Sequence, residues 1–358
     1  MSDTNIIGKV QTVLGVIDAE ELGITLPHEH ILTDARVFFI EPTDPTEKIL
    51  AYQPVSQENL WWVRTHRLNN LDNYIQNNEE ILINELMLFK QAGGNTVVDV
   101  SCIGLGRNPL GLKRIAQATG LNIIMGAGYY VGVSHPPELA GMTELEIARE
   151  IIKDITIGVG DTRICSGLIG EIGCSMPLQE DERKVLRACA IAQRKTGAPL
   201  SIHPGSGDTS GLEIASILEE AGADLNHTVI GHIDIMGYSL DGIRKLADAG
   251  CFIEYDTFGH LMTPFASQGH IMEFPSESQR INAIMQLIED GYLGNILISQ
   301  DSFLKELMTA FGGFGYAHIL RDIVPVMYAK GINEEQVHTI IVENPKRFLQ
   351  FKPVVKIN

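Results

Sequence analysis

Residues 24–30 read Ile24-Thr25-Leu26-Pro27-His28-Glu29-His30. The run begins β-branched and apolar and ends on two imidazoles flanking a carboxylate. As the first strand of a parallel sheet it separates two architectures. An open doubly wound sheet usually follows its first strand with a Gly-rich turn that cradles phosphates, and that turn is absent here. Seven further short β-branched runs follow at 95–101, 122–128, 164–172, 198–203, 228–232, 251–256 and 295–301. Amphipathic stretches fill the gaps at 80–92, 109–119, 143–157, 180–196, 209–221, 239–249, 277–290 and 317–330, and a last one covers 334–348. Alternating strand and helix predicts βα units on a parallel sheet. Eight such units in 358 residues predict a (β/α)8 TIM barrel. No Pro/Gly/Ser linker, charge run or repeat divides the chain, so one domain over 1–358 is expected, with a long rim loop at about 31–79.

Composition narrows the function. Hydrophobic residues make up 44% and charged residues 20%, enough apolar material for a large core and too much for a disordered chain. Lys and Arg number 27 against 45 Asp and Glu, a net charge of −18. That balance repels nucleic acid and anionic membrane surfaces, which recruit basic footprints. No stretch approaches the ~18–20 apolar residues of a spanning helix. The start, Met-Ser-Asp-Thr-Asn, has neither the basic nor the apolar part of a signal peptide. Cys102, Cys165, Cys174, Cys189 and Cys251 are too scattered for a disulfide framework. A cytoplasmic protein with reduced thiols and a small-molecule partner is expected.

In a barrel of this kind the chemistry collects at the C-terminal ends of the strands. The first run ends in His28 and His30, the fourth in Glu171, the fifth in His203, the sixth in His232 and the eighth in Asp301. The second and seventh end near Cys102 and Asp256, the third near Tyr129 and Tyr130. Residues i and i+2 share a strand face, so His28 and His30 can present two nitrogens to one ion. His203 and His232, on adjacent strands, can hold a second. Glu171 lies between the pairs in strand order and can bridge both ions, with Asp301 on the first. Imidazole and carboxylate suit Zn²⁺, with Mn²⁺, Co²⁺ or Fe²⁺ also compatible. A binuclear metal centre at the C-terminal rim is therefore expected.

Other features weigh less. Gly205-Ser-Gly207-Asp-Thr-Ser-Gly211 follows a strand but lacks the GxGxxG spacing and a P-loop lysine. Cys174 lies beyond Glu171, where a buried thiol is ordinarily inert packing. No lysine ends a strand, which argues against Schiff-base chemistry. His135 and His260 sit in rim loops and can reach a substrate.

The ligand pattern resembles the phosphotriesterase-like branch of the amidohydrolase superfamily. The matching motifs are Pro27-His28-Glu29-His30, Ile202-His203-Pro204, Gly231-His232 and Gln300-Asp301, with Gly104-Leu-Gly106-Arg107 and Glu343-Asn344-Pro345. Phosphotriesterases bridge their metals with a carboxylated lysine on strand 4, where this chain has Glu171. That glutamate, the string Glu171-Ile-Gly-Cys174-Ser175 and the long first loop with Asn59-Leu-Trp61-Trp62 resemble the glutamate-bridged, phosphotriesterase-related subgroup. Vertebrate members of that subgroup are N-acetyltaurine amidases, so the resemblance implies a small N-acyl amide as substrate. It implies attack on the carbonyl by a metal-bridging hydroxide, with Asp301 as general base and then general acid.

Elsewhere in the branch stand lactonases and phosphate or carboxyl esterases, which form the alternative reading. A lactonase tyrosine on strand 3 matches Tyr130, whereas the lactonase arginine after strand 7 is Thr257 here. A non-catalytic metal-dependent binding protein is the reading from another class, and the intact ligand set speaks against it. Tyr130, Arg107 and His260 are candidate substrate contacts. Arg36, Arg64 and Arg67 in the first loop are further anion-binding candidates. Dimers are common among relatives, which leaves a homodimer open.

Overall fold

The computed structural model describes residues 6–261, 265–267, 270–272 and 274–354. Its central sheet has eight parallel strands: β1 Thr25–Glu29, β2 Thr96–Asp99, β3 Asn122–Ala127, β4 Leu168–Gly173, β5 Leu200–His203, β6 Thr228–Ile230, β7 Phe252–Tyr255 and β8 Ile296–Ile298. They pair in chain order, β1 beside β2 and onward to β8. Side chains close the circle. The backbone N–H of His28 donates to Ser299 Oγ at 3.1 Å, and Ser299 Oγ donates back to His28 O at 2.8 Å. The backbone N–H of Asp301 then donates to His28 O at 3.2 Å. The result is a (β/α)8 TIM barrel.

The outer ring is formed by α1 Glu79–Gln91, α2 Pro109–Thr119, α3 Glu144–Thr156, α4 Glu180–Thr196, α5 Asp208–Glu220, α6 Leu240–Asp248, α7 Glu277–Glu289 and α8 Val324–Lys330. Local chemistry sets many of the starts. Asn78, Asn108, Thr143, Ser239 and Ser276 each accept a first-turn N–H, a cap worth about 1 kcal/mol. Two helical stretches open into a wider π turn, at Ile319–Ile323 and Thr339–Glu343. Each precedes a helix with a proline at its start, Pro325 or Pro345. A proline donates no N–H and crowds the carbonyl four residues back, and the extra residue in the turn relieves that crowding.

Strand alternation divides the barrel between its interior and the helix layer. Val98, Val100, Ile124, Leu168, Val229, Phe252 and Leu297 form one buried cluster. Val97, Ile123, Met125 and Ile169 belong to a second, shared with the helices. An N-terminal hairpin, Lys9–Thr12 with Gly15–Asp18, adds Val10 to the first cluster, and the last helix, Asn344–Leu349, adds Phe348 and Leu349. These plug one end of the interior and leave the polar end at the strand C-termini.

Several strands are shorter than the sequence runs predict, the fourth starting at Leu168 rather than 164, and two of the differences bear on the rim. β6 stops at Ile230 and β8 at Ile298, so His232 and Asp301 stand just beyond their strands. Both have left-handed backbones, φ 53° and 46°, which end a ladder. Segment 31–79 has structure of its own. Thr33–Asp34 pairs antiparallel with Ile75–Gln76, and Pro45–Ala51 and Leu60–Thr65 are short helices. Among the described residues no helix is long and apolar enough to cross a membrane.

Candidate metal centre

The pleat of β1 turns His28 and His30 towards one cluster of carboxylates, both nearly fully buried. Glu29, between them, faces the other way. Its carboxylate accepts from Ser299 Oγ at 2.8 Å, from Gln300 N at 2.8 Å and from Ser302 N at 3.0 Å. Burial pushes the Glu29 carboxyl up to about 7, against these bonds. The middle residue of the His-Glu-His string thus anchors the segment that carries Asp301.

Glu171 on β4 is the hub. Its Oε1 is 3.2 Å from His30 Nε2. Its Oε2 is 3.2 Å from His232 Nε2, 3.3 Å from His203 Nδ1 and 3.5 Å from His28 Nε2. Asp301 Oδ1 stands 3.2 Å from His30 Nε2 and 3.8 Å from His28 Nε2. His28, His30 and Asp301 form one group whose ligand atoms lie within 4.8 Å of one another, and His28, Glu171 and His232 form a second. His28 Nε2 is buried with no hydrogen-bond partner. A buried nitrogen lacking a donor or acceptor partner, aimed at carboxylates, fits a metal ligand. The cluster can hold divalent metal ions.

A second layer orients the rings. His232 Nδ1 donates to Asp256 Oδ1 at 2.9 Å, and the His232 backbone N–H donates to Asp256 Oδ2 at 2.8 Å. His28 Nδ1 is 3.1 Å from Glu254 Oε2 and 3.5 Å from Asp256 Oδ2. His30 Nδ1 is 2.9 Å from Ser101 Oγ. With Nδ1 engaged, all three rings turn Nε2 inward. Gly231 makes room for this, because a Cβ there would lie 2.9 Å from Asp256 Oδ2. Left-handed backbone at His232 and Asp301 costs about 1–3 kcal/mol each, a strain found where surrounding bonds over-determine the conformation. Glu254 is a functional residue that the strand-end rule does not point to, because it lies within the strand. Its signal was there: Glu254 and Asp256 put two carboxylates on one face of a strand otherwise buried and apolar.

The electrostatics follow from this crowding. Burial opposes a charge on His30, yet its bonds to Asp301 and Glu171 outweigh that and raise it to about 9. Burial likewise opposes a charge on His28 and His232, and neighbouring carboxylates hold both well above the usual imidazole range. Burial would raise Glu171, but His28 and bonds from His203 and His232 hold it well below the carboxylate range. His203 moves down through burial and the His232 beside it. The carboxylates therefore demand positive charge at this spot, which dications meet.

The candidate substrate contacts part ways. Tyr130 Oη lies 3.3 Å from His203 Nδ1. Its ring joins Phe38, Tyr74 and Phe303 in an aromatic roof, with Phe303 6.2 Å from the His30 ring. His260 Nε2 donates to Asp301 O at 3.1 Å. Burial, then Arg67, holds its imidazole down to about 3. Arg107 is not brought to the centre. Its guanidinium donates to Asp154 Oδ2 on α3 at 2.8 Å and to Gly126 O on β3 at 3.1 Å, so it ties strand to helix. Thr257 donates to Asp234 Oδ2 at 2.5 Å and accepts from Arg280 at 2.7 Å. Cys174 is buried, and burial pushes its thiol well up, away from the thiolate.

Known proteins are similar to this chain along nearly its whole length. An N-acetyltaurine hydrolase from Dictyostelium discoideum is 40% identical, covering 97% of this chain and 99% of that protein. One from Danio rerio is 39% identical, covering 96% and 99%. Among solved structures, a resiniferatoxin-binding protein from Rhodobacter sphaeroides superposes with a TM-score of 0.91 at 37% identity, covering 96% of this chain and 95% of that one. The sequence profile of the Phosphotriesterase family matches residues 8–349. With its barrel, its carboxylate-centred histidine cluster and that end-to-end match, the chain belongs to the phosphotriesterase family and is a hydrolase.

Proposed function

We propose that this chain hydrolyses small N-acyl amides of the N-acetyltaurine type at a binuclear divalent metal centre, with Zn²⁺ as the expected ion. The ligands are His28, His30, Glu171, His203, His232 and Asp301. The observation that carries the reading is Glu171, whose two carboxylate oxygens face different imidazoles across the cluster, Oε1 towards His30 and Oε2 towards His203 and His232. The curated names of the Dictyostelium and Danio relatives support the amide.

When bound, the ions supply Lewis acidity for the carbonyl and lower the pKa of water. The remaining steps belong to the protein. Asp301 accepts the proton of the attacking water and returns it to the leaving nitrogen, because an unprotonated amine leaves poorly. His260 holds the Asp301 carbonyl in place. Phe38, Tyr74 and Phe303 exclude bulk water, which strengthens every charge interaction beneath them.

The protein is further proposed to act as one domain, with segment 31–79 as its rim insertion. It is placed in the cytoplasm, in keeping with its free cysteines. A homodimer rests on the family resemblance alone.

A second reading, lactone hydrolysis, is favoured by Tyr130 beside His203. One NMR time course on zinc-loaded protein, with N-acetyltaurine and γ-butyrolactone in the same tube, separates the two. Acetate release with the lactone intact supports the amidase. Opening of the lactone alone replaces it with the lactonase, and no change in either overturns both substrate assignments.

A further inference from the structure

Three arginines of the first loop end in different places. Arg36 is exposed and paired with Asp34, and Arg64 donates to Gly312 O. Arg67 turns inward. Its side chain is 9% exposed, with Nε 2.5 Å from Glu306 Oε1 and Nη1 3.4 Å from His260 Nδ1. His260 in turn donates from Nε2 to Asp301 O at 3.1 Å. The guanidinium therefore stands one imidazole away from the backbone carbonyl of Asp301, the proposed general base.

Two details show unused capacity at this spot. Arg67 Nε and both oxygens of Glu306 are buried without a properly formed hydrogen bond, so charge alone holds the pair. Among the described residues the guanidinium's hydrogen bond runs from Nη1 to His260 Nδ1. A guanidinium carries five N–H donors, and burying them unused is costly unless a ligand takes them up. Phe303 flanks both histidines, 6.1 Å from the His260 ring and 6.2 Å from the His30 ring.

We propose that Arg67 is the specificity-determining residue that receives the anionic end of the substrate, a sulfonate or carboxylate, while the amide lies at Asp301. The inference rests on the amide reading above. The reach agrees with it. A sulfonate on a two-carbon amine tail lies on the order of 5 Å from the amide carbonyl at ordinary bond lengths, and a hydrogen bond adds ~3 Å. That total is comparable to the span from Arg67 Nη1 through the His260 ring to the Asp301 backbone carbonyl. Glu306 aims the fork, and the planar donors match a sulfonate or carboxylate in a way an ammonium does not.

The test uses probes with no scissile bond, ethanesulfonate and propionate, titrated calorimetrically into metal-loaded protein. The variants are Arg67→Lys and the double variant Arg67→Met with Glu306→Gln, which strands no buried charge. One of the anions is expected to bind the wild type and to bind the double variant about 10- to 100-fold more weakly, the range for losing hydrogen bonds to a charged group. Arg67→Lys, which keeps a positive charge beside Glu306 but not the planar fork, is expected to fall between. The ratio of kcat/KM for N-acetyltaurine over that for neutral-tailed N-acetylethanolamine is expected to drop by a similar factor. An unchanged ratio with unchanged anion affinity in either variant overturns the proposal, as does a wild type that binds neither anion. Anion binding through Arg67 without cleavage of any amide would remove the amide reading and leave the anion site standing. The stronger binder of the two anions identifies sulfonate or carboxylate.

Discussion

Replacing Asp256 with asparagine keeps the side chain's shape and removes one acceptor. In the native protein both its oxygens accept, Oδ1 from the His232 ring at 2.9 Å and Oδ2 from the His232 backbone at 2.8 Å. Asparagine offers one oxygen and one NH2. The left-handed backbone at His232, φ 53°, needs its N–H bonded, so the oxygen goes there and the NH2 faces the ring. The ring must then accept at Nδ1, which puts its proton on Nε2, the nitrogen 3.2 Å from Glu171. That tautomer cannot ligate a cation. His28, 3.5 Å from Asp256, loses part of its orientation as well. Loss of an orienting partner behind a ligating histidine costs about 10- to 100-fold in metal affinity, or roughly 1.4–2.7 kcal/mol. Competition against a chelator of known affinity, read by metal analysis of the desalted protein, measures it. Wild-type metal affinity in Asp256→Asn would refute the tautomer argument, because no orientation of that amide can accept from both the His232 backbone N–H and a protonated Nδ1.

The other predictions concern the same cluster. Asp301→Asn should lower turnover by more than ~100-fold while keeping most of the metal, as removal of a general acid–base does; near-normal turnover would take Asp301 out of the chemistry. Glu171→Ala should lose bound metal on dialysis, and full retention would deny it the bridging position. Metal-free protein should become less stable as the pH rises from about 6.5 to about 9. His30 is raised to about 9 when folded, so its contribution is complete below the unfolded imidazole value near 6.5 and disappears as the pH passes the folded one. Thermal melts across that window check this, with the metal-loaded protein as control; a flat profile without metal would count against the His30 contacts. Gly231→Ala should weaken metal binding, because its methyl would press on the Asp256 carboxylate at 2.9 Å; metal analysis alongside the wild type decides.

Much of the architecture is written in local pattern. Eight apolar runs and the amphipathic stretches between them follow from burial on both strand faces and one helix face, a property each segment carries by itself. The residues at the strand ends, His28, His30, Glu171, His203, His232 and Asp301, are legible for the same reason: once a barrel is inferred, position along a strand determines the rim. Direction is not legible in this way. Arg107 and Arg67 look alike as loop arginines, yet one is tied to Asp154 on a neighbouring helix and the other to Glu306 across the mouth. Glu29 lies between two inward histidines and turns to Ser299 and Ser302, more than 250 positions away. Glu254 and Asp256 orient His28 and His232 only because β7 comes to lie beside β6 and, once the circle closes, a single strand away from β1. Periodicity reports which face of an element is buried, so the sequence determined the barrel and the chemistry of its rim. The partner of a polar group depends on closure of the whole circle, and that only the tertiary structure decided.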